Sequence, residues 1–403
     1  MRILWVKVGG LWPLNTGGRL RSFHILSRLS HEHRVVLLTT HGRDDDPGEL
    51  ARQLPRCQEV VSLPHAVPKR NTVAFGRALV RSWLSTLPVD LSRWRVPELR
   101  KTVTSLLRSG AMDVCVADFL ASAVNVPADG SIPTILFEHN VEHLIWKRLS
   151  DVERRPWRRA LLEIEWRKLR HYEARACHRA SLTVAVSEAD RQQLVDNAPG
   201  ARVRPIPTGV DLTFFARNGA HEAPASLVFI GSMDWHPNED AAIHFAREIL
   251  PEIRRRVPDV KLTIVGRKPT PRLQAAMSES GARVTGTVDD VRPYMAEATV
   301  CVVPLRIGGG TRLKIFEALA MGKAVVSTTV GAEGLPVVPG RHYVRADGPG
   351  DFARAVLALL RDPMRRAALG AAGRQLVEER YSWAHVAKEF EARCEEAVAT
   401  HAR

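Results

Sequence analysis

Short apolar runs recur along the chain. Between most of them lie longer stretches in which apolar residues return every three or four positions. The first half carries the runs RILWVKV, RVVLLTT, EVVSLP, DVCVAD, PTILFEH, LTVAVS and RVRPIPTG. The second half carries SLVFIGS, KLTIVG, ARVTGT, ATVCVVP, KAVVST and HYVRA. Amphipathic segments such as GRLRSFHILSRLS and DAAIHFAREILPEIRRRV separate them. Continuous apolar strands alternating with helices predict α/β architecture, with parallel sheets covered on both faces. In such sheets ligands sit at the carboxyl ends of the strands. The segment RNGAHEAPA at Arg217–Ala225 is small, polar and proline-bearing, and a fresh βα series follows it. It predicts two doubly wound domains, 1–217 and 218–380, and a terminal helix over 381–403 that packs back on the first domain. No short repeat indicates a solenoid.

One helical region stands apart, from Val141 to Ala180. Arg154, Arg155, Arg158, Arg159, Arg167, Lys168 and Arg170 interleave there with Trp146, Trp157 and Trp166. One reading is a long helix whose aromatic stripe packs inward while the arginines face water. A second is a basic surface resting on anionic lipid, with tryptophans at headgroup level. Base stacking on the aromatics is a third, but no recognisable nucleic-acid module surrounds them, and a nucleic-acid partner is not expected.

At 403 residues the chain exceeds what one core usually organises. Its hydrophobic share of 45% and charged share of 25% are ordinary for a globular protein. The net charge of +14 is not ordinary. It suits a polyanionic partner or a plain solvated basic surface, and charge alone does not choose. Five scattered cysteines with no CxxC pair argue against a disulfide framework and a cysteine-based zinc site, and fit a reducing cytoplasm. The N-terminal apolar run is too short for a signal peptide. No uninterrupted apolar run of roughly 18 residues predicts a transmembrane helix. Membrane contact would then be peripheral, at the inner face.

The densest candidate chemistry lies at Ile307–Val326, IGGGTRLKIFEALAMGKAVV. The glycines follow a strand and precede a helical pattern, which Gly322 suits as a terminus. Unpaired N–H groups and a positive dipole gather at such a helix start. Glycines let a ligand approach the backbone, and Arg312 and Lys314 add full charges. A diphosphate would be well held. The segment is not a Walker loop, because Glu317 stands where the earlier glycine should be. It is not a dinucleotide fingerprint either, since no GxGxxG follows the first strand.

The segment PLRIGGGTRLKIFEALAMGKAVVSTTVGAEGL closely resembles the donor-binding segment of retaining glycosyltransferases of the large family 4 (group 1) type, which have the GT-B fold. NTGGRLRSFHILSRLS, FEHNVEHL, AVSEADR, PIPTGVDLTFF, VFIGSMDWHPNEDA and YSWAHVAKEFE resemble further parts of that family in the same order. The resemblance implies two Rossmann-like domains with a cleft between them, acceptor in the first and nucleotide sugar in the second. It implies retention of configuration, no cofactor and no required metal. It places Gly18, Gly231, His236, Arg267, Gly308, Gly309, Gly310, Thr311 and Glu317 on the donor, with Glu317 accepting from the ribose. Arg312, Lys314 and His139 are the catalytic candidates, the two cations stabilising the leaving diphosphate. Arg19, Arg21 and Asn140 are acceptor-side candidates. His139 and His143 are four apart, but no third ligand and no HExxH order accompanies them, so no metal site is expected.

Departures from the family pattern are part of the reading. The first of two glutamates spaced by seven residues is missing, and Gly309 stands in its place. The arginine and lysine common just after the second domain's first strand are absent, and His236 and Asn238 occupy that loop. Arg312 and Lys314 are therefore expected to bind the phosphates. Glu333 reads as a loop cap, and backbone near Thr287–Asp289 is a candidate contact for the base. The expected function is metal-independent transfer of a sugar from a nucleoside diphosphate to a saccharide or lipid-linked acceptor. An epimerase- or phosphorylase-like enzyme of the same fold, or a basic membrane or nucleic-acid adaptor, are the alternatives.

Overall fold

The computed structural model describes residues 1–403 except 15, 44, 69–71, 128–129, 154, 217–218, 220–221, 308–312 and 402–403. Each of the thirteen apolar runs holds one strand. The first sheet comprises β1 (Arg2–Lys7), β2 (Arg34–His41), β3 (Glu59–Pro64), β4 (Val114–Asp118), β5 (Thr134–Phe137), β6 (Leu182–Ala185) and β7 (Val203–Pro205). All its pairings are parallel, in the order β3-β2-β1-β4-β5-β6-β7. The second comprises β8 (Ser226–Ile230), β9 (Lys261–Val265), β10 (Arg283–Val284), β11 (Val300–Val303), β12 (Val325–Ser327) and β13 (Val344–Arg345), also parallel, in the order β10-β9-β8-β11-β12-β13. The direction of winding reverses between β1 and β4 in one sheet and between β8 and β11 in the other. The crevice outside the strand ends at such a reversal is where open α/β sheets bind ligands.

The chain forms two compact units, Met1–Pro207 with Val386–Arg403, and Thr208–His385. The division falls before the 217/218 boundary that the polar composition predicts. Residues 208–216 follow the second unit because Val210 donates its N–H to the Tyr381 carbonyl at 2.7 Å and Phe215 packs into that unit's core. The stretch 218–380 likewise stops short of this unit, which runs to His385.

Two helical expectations change. The DAAIHFAREILPEIRRRV stretch is not one helix. It runs His236–His244, widens into a π-turn at Phe245–Ile249 and resumes at Leu250–Arg254. Pro251 lacks an N–H, and its ring crowds the carbonyl four residues back, so the regular ladder cannot pass it. The Val141–Ala180 stretch is likewise a pair of helices, Glu142–Val152 and Pro156–Arg179. Pro156 sits at the helix start where its missing N–H costs nothing, and it forces Arg155 into extended geometry. The tryptophans do not all pack inward: Trp146 and Trp166 are half-buried and Trp157 is exposed.

The terminal helix Trp383–His401 contributes to the core of the first unit through Phe390. Its ring lies 5.3 Å from Trp5 of β1 and 5.0 Å from Phe137 of β5. All three side chains are fully buried. His33 and Arg204 tie the same helix down through Glu391 at 2.8 Å and Glu396 at 2.9 Å. Such exposed or half-exposed pairs add little, so the aromatic contact carries the attachment. Phe390→Ala should therefore cost about 3–5 kcal/mol of unfolding free energy. Urea denaturation checks this; a loss below about 1 kcal/mol would mean that the helix is not part of the first core.

Candidate functional site

In the first unit a charged cluster occupies the strand ends at the reversal. Lys7 closes β1, Asp118 closes β4 and His139 follows β5. Asp118 has no exposed surface. One of its carboxylate oxygens meets Lys7 Nζ at 3.3 Å and accepts from the Trp5 indole N–H at 2.9 Å. The other lies 2.7 Å from His139 Nε2. Burial alone would raise the Asp118 pKa, but Lys7 and His139 outweigh it and hold the carboxylate below its ordinary range. Burial lowers Lys7, with Asp118 opposing. Burial also lowers His139, to about 3, again against Asp118, so the imidazole is neutral at pH 7. A neutral ring facing a carboxylate donates from Nε2, which leaves Nδ1 to accept from Arg21 Nη1 at 3.4 Å.

The His139 ring is also stacked on Phe119, with centroids 3.9 Å apart and planes within 9°. Phe119 has φ 74° and ψ 151°, a region nearly reserved for glycine. That conformation brings its ring under Lys7, 4.1 Å from the ammonium, and against Gly18, where an added Cβ would lie 2.4 Å from Phe119 Cζ. Glycine at 18 is thus needed for aromatic packing at the helix start. His139 is engaged at both nitrogens and stacked on Phe119, which suits a positioning residue.

Arg19 and Arg21 differ in kind. Arg19 reaches back to the carbonyls of Gly9 at 2.9 Å, Pro13 at 3.2 Å and Trp12 at 3.3 Å, bracing the loop that precedes its helix. Arg21 is buried beside His139. Burial lowers its pKa to about 9, with Asp190 and Asp118 opposing, so it remains a cation at neutral pH. Asn140 is half-buried directly after His139.

A second buried set lies on the other side of His139. Glu173 accepts from the backbone N–H of Glu142 at 2.7 Å and pairs with the imidazole of His143, so His143 belongs to this carboxylate. Burial pushes Glu142 up to about 8, with Glu173 and Asp90 adding to it. Burial raises Glu138 well above its ordinary range, with Glu173 and Glu142 adding to it. No cluster of three His, Cys, Asp or Glu side chains suited to a metal exists among the described residues.

In the second unit the site forms around the end of β8. Gly231 follows β8 and Gly266 follows β9, back to back: a Cβ on Gly266 would lie 1.7 Å from the Gly231 carbonyl oxygen. A Cβ on Gly231 would come within 2.7 Å of Asn238 Nδ2 and 2.9 Å of Lys314 Nζ. Lys314 rides on the helix Leu313–Ala320, which follows β11 across the reversal. Its ammonium donates to Asn238 Oδ1 at 2.7 Å and lies 4.4 Å from the centroid of the Phe229 ring. Asn238 is held in turn by donating to the Ser232 carbonyl at 2.9 Å. Arg267 donates to Ser232 Oγ at 2.6 Å and faces Asp234 at 3.7 Å. Glu317, one turn beyond Lys314, is pushed up to about 7 by burial, with Lys314 opposing. His236 opens its helix and is exposed. Gly308, Gly309, Gly310, Thr311 and Arg312 lie outside the described residues. Lys323 of the MGK triplet is buried and bound to Glu222 at 2.6 Å and the Ala296 carbonyl at 3.1 Å, a structural lysine. Glu333 sits in an exposed loop.

Lys7 and Asp118 are the residues that sequence reasoning missed. Their signal is a charge closing a fully apolar strand, where only a partnered group can be buried.

Residues 22–214 match the family model for glycosyltransferase family 4, and residues 224–362 match that for group 1 glycosyl transferases. The chain belongs to glycosyltransferase family 4. This family 4 chain is 31% identical over 221 residues to a phosphatidyl-myo-inositol mannosyltransferase of Mycobacterium tuberculosis, a match covering 51% of the chain and 57% of that protein. It thus spans a little over half the length of that curated relative. It is 27% identical over 360 residues to an alpha-maltose-1-phosphate synthase of the same organism, covering 81% and 86%. Among solved structures, sucrose-phosphate synthase from Thermosynechococcus elongatus superposes with a TM-score of 0.71 at 14% identity, over 99% of this chain and 100% of that one. Anabaena Alr3699/HepE, solved in complex with UDP-glucose, gives 0.66 at 15%, over 98% and 100%. At those identities the likeness shows the fold, which is GT-B, two parallel-sheet α/β units of seven and six strands.

The buried carboxyl of this family 4 chain at Glu138 predicts a pH effect. An unfolded glutamate titrates near about 4.3. Folded Glu138 keeps its proton well above that, so between the two values the folded state binds more protons and stability falls as pH rises. Glu138→Gln has no proton to lose. Its melting temperature relative to wild type should therefore climb from pH 5 to pH 8 in thermal denaturation. A difference independent of pH would sink the assignment.

Proposed function

We propose that the protein transfers a sugar from a nucleoside diphosphate to a lipid-linked or saccharide acceptor at an anionic membrane face. One observation carries the donor half of this reading. Lys314 brings its ammonium to the carboxyl end of β8 from the helix that follows β11, at the reversal of the second sheet. A cation there, with close-packed glycine backbone beside it, suits a phosphate ligand. The glycines at 308–310 and Arg312 belong to the same sequence segment. Glu317, half-buried one turn beyond Lys314, is the proposed hydrogen-bond partner of the ribose hydroxyls.

The acceptor half rests on the family and on named relatives. The mycobacterial mannosyltransferase is named for a phosphatidyl-myo-inositol acceptor, and the maltose-1-phosphate synthase for a phosphorylated sugar product. A lipid acceptor agrees better with the exposed apolar and basic helices of the first unit.

The proposed chemistry is front-face displacement with retention and without a required metal. The bond from the anomeric carbon to the phosphate oxygen breaks. The acceptor oxygen bonds to the same face of that carbon, and its proton passes to the departing phosphate. Lys314, with Arg312, stabilises the charge that grows on the diphosphate. His139, neutral and fixed by Asp118 and Arg21, shapes the acceptor-side wall without taking a proton.

A thermal-shift panel of UDP, GDP, ADP and their sugars tests the donor reading. One diphosphate should raise the melting temperature, since a ligand at about a hundredfold its dissociation constant stabilises by about 2.7 kcal/mol. Lys314→Ala should lose most of that shift and lower turnover at least about tenfold. An unchanged shift in the variant, or no response to any nucleotide, would overturn the phosphate assignment.

A further inference from the structure

Fourteen large hydrophobic side chains are exposed among the described residues, and nine of them fall between residues 73 and 164. That concentration calls for an explanation, because exposed apolar residues scattered singly need none but a contiguous patch marks an interaction site.

The helix Val73–Trp83 is the clearest part. Its sequence, VAFGRALVRSW, is mostly apolar, yet Ser82 alone among its residues is buried. Val73 is 75% exposed, Val80 52%, Trp83 53% and the capping Leu84 85%. Its only charges are Arg77 and Arg81. Ser82 anchors it to the neighbouring helix Pro156–Arg179: Lys168 donates to its carbonyl at 2.8 Å, and its hydroxyl donates to Glu165 at 3.3 Å. Directly before Glu165 the long helix carries Ile164, and before it Leu161 and Trp157. The spacing i, i+4, i+7 puts the three on one face, and all are exposed. The helix Glu142–Val152 lies alongside. Lys147 joins it to Glu163 at 3.6 Å and to the Trp166 ring at 4.8 Å, and it adds exposed Ile145 and Leu149, one turn apart.

The charge on this face is mainly positive, and the exposed Asp151 of the 142–152 helix is paired with Lys147 at 2.9 Å. The 73–83 and 156–179 helices carry nine arginines and lysines against three glutamates. Glu165 and Glu173 are buried in internal contacts, which leaves Glu163. Arg158 and Arg159 are exposed beside Trp157, with the Arg158 guanidinium 5.0 Å from that ring. No helix among the described residues is long and apolar enough to cross a membrane.

We infer that the 73–83, 142–152 and 156–179 helices form a docking surface for an anionic phospholipid bilayer. Aliphatic side chains and tryptophans enter the headgroup and acyl boundary, while the arginines pair with lipid phosphates. Charge complementarity selects this occupant. A second copy of the chain would set one arginine-rich face against another. A nucleic acid would meet the cations but leave Val80, Leu84, Leu161 and Ile164 without partners. The inference rests on the lipid-acceptor reading above and deepens it by naming the surface, but its test needs no transfer.

The experiment is co-sedimentation of the full chain with vesicles of phosphatidylcholine alone or with added phosphatidylglycerol. Binding should be at least about tenfold stronger to the anionic vesicles and should weaken with salt. The double variant Trp83→Ser, Leu84→Ser should weaken it at least about fivefold, and so should Arg158→Glu with Arg159→Glu. Both should keep the wild-type urea midpoint and nucleotide-induced thermal shift, because neither pair touches a core or the Lys314 site. Equal binding to neutral and anionic vesicles overturns the inference, as does undiminished binding by both folded variants. So does lipid-free dimerisation that the serine variant abolishes, which would make the face a self-interface, or binding to RNA in preference to lipid. A failed vesicle assay beside an intact nucleotide shift would remove the docking surface and leave the donor reading standing. A normal vesicle assay with no nucleotide shift would do the reverse.

Discussion

A carboxylate with no access to water, Asp118, joins the parts of the first unit. It ends β4, neutralises Lys7 at the end of β1 and orients His139 after β5. The indole N–H of Trp5 donates to it, and the same indole packs on Phe390 of the terminal helix. Burying such a group without partners would cost several kcal/mol. With three partners it becomes a fixed reference point at the reversal of the sheet. Phe119, the next residue, adopts its strained backbone at that point, and its ring presses on Gly18, His139 and Lys7 together. Aromatic packing and ion pairing therefore hold one geometry jointly.

The second unit reaches a comparable end by sterics. A Cβ on Gly266 would strike the Gly231 carbonyl and a Cβ on Gly231 would strike Asn238, so backbone rather than bulk lies at the strand ends. Lys314 then sits over the Phe229 ring with its charge directed by Asn238. The first unit fills its strand ends with paired charge. The second sets there a cation that donates to a neutral amide, Asn238, and has Glu317 one turn along its helix. The anionic ligand is proposed for the second unit because Lys314 stands at the strand ends beside close-packed glycine backbone.

The strands were legible because the central parallel strands, buried on both faces, are largely apolar, and the shorter edge runs still stand out against polar connections. The segment proposed for the donor stands out in the sequence through glycines and cations packed in one place. What escaped depended on partners distant in sequence. Lys7 and Asp118 are 111 positions apart and look like ordinary strand-end charges until the sheet pairs β1 with β4. Arg19 looks like a free cation until the loop at Gly9–Pro13 folds its carbonyls around it. The boundary near 217 was drawn from polarity, but Val210 and Phe215 already belong to the second core. Pro156 splits the long arginine-rich stretch by forcing Arg155 into extended geometry, a break that the continuous periodicity on either side conceals.

The net charge of +14 likewise means less than its size suggests until each cation is placed. Arg254, Arg366 and Arg374 bond to backbone carbonyls, Lys323 to Glu222, and Arg306 to Asp240. These charges are neutralised or fixed inside one unit and attract no distant partner. The cations of the 73–83 and 156–179 helices differ because apolar side chains surround them and few exposed acids do. A polyanion alone would not account for that mixture, and an apolar partner alone would leave the arginines without counter-charge. A surface that is negatively charged outside and hydrocarbon within satisfies both. The combination of charge with exposed hydrophobicity, rather than either quantity, is what selects the partner.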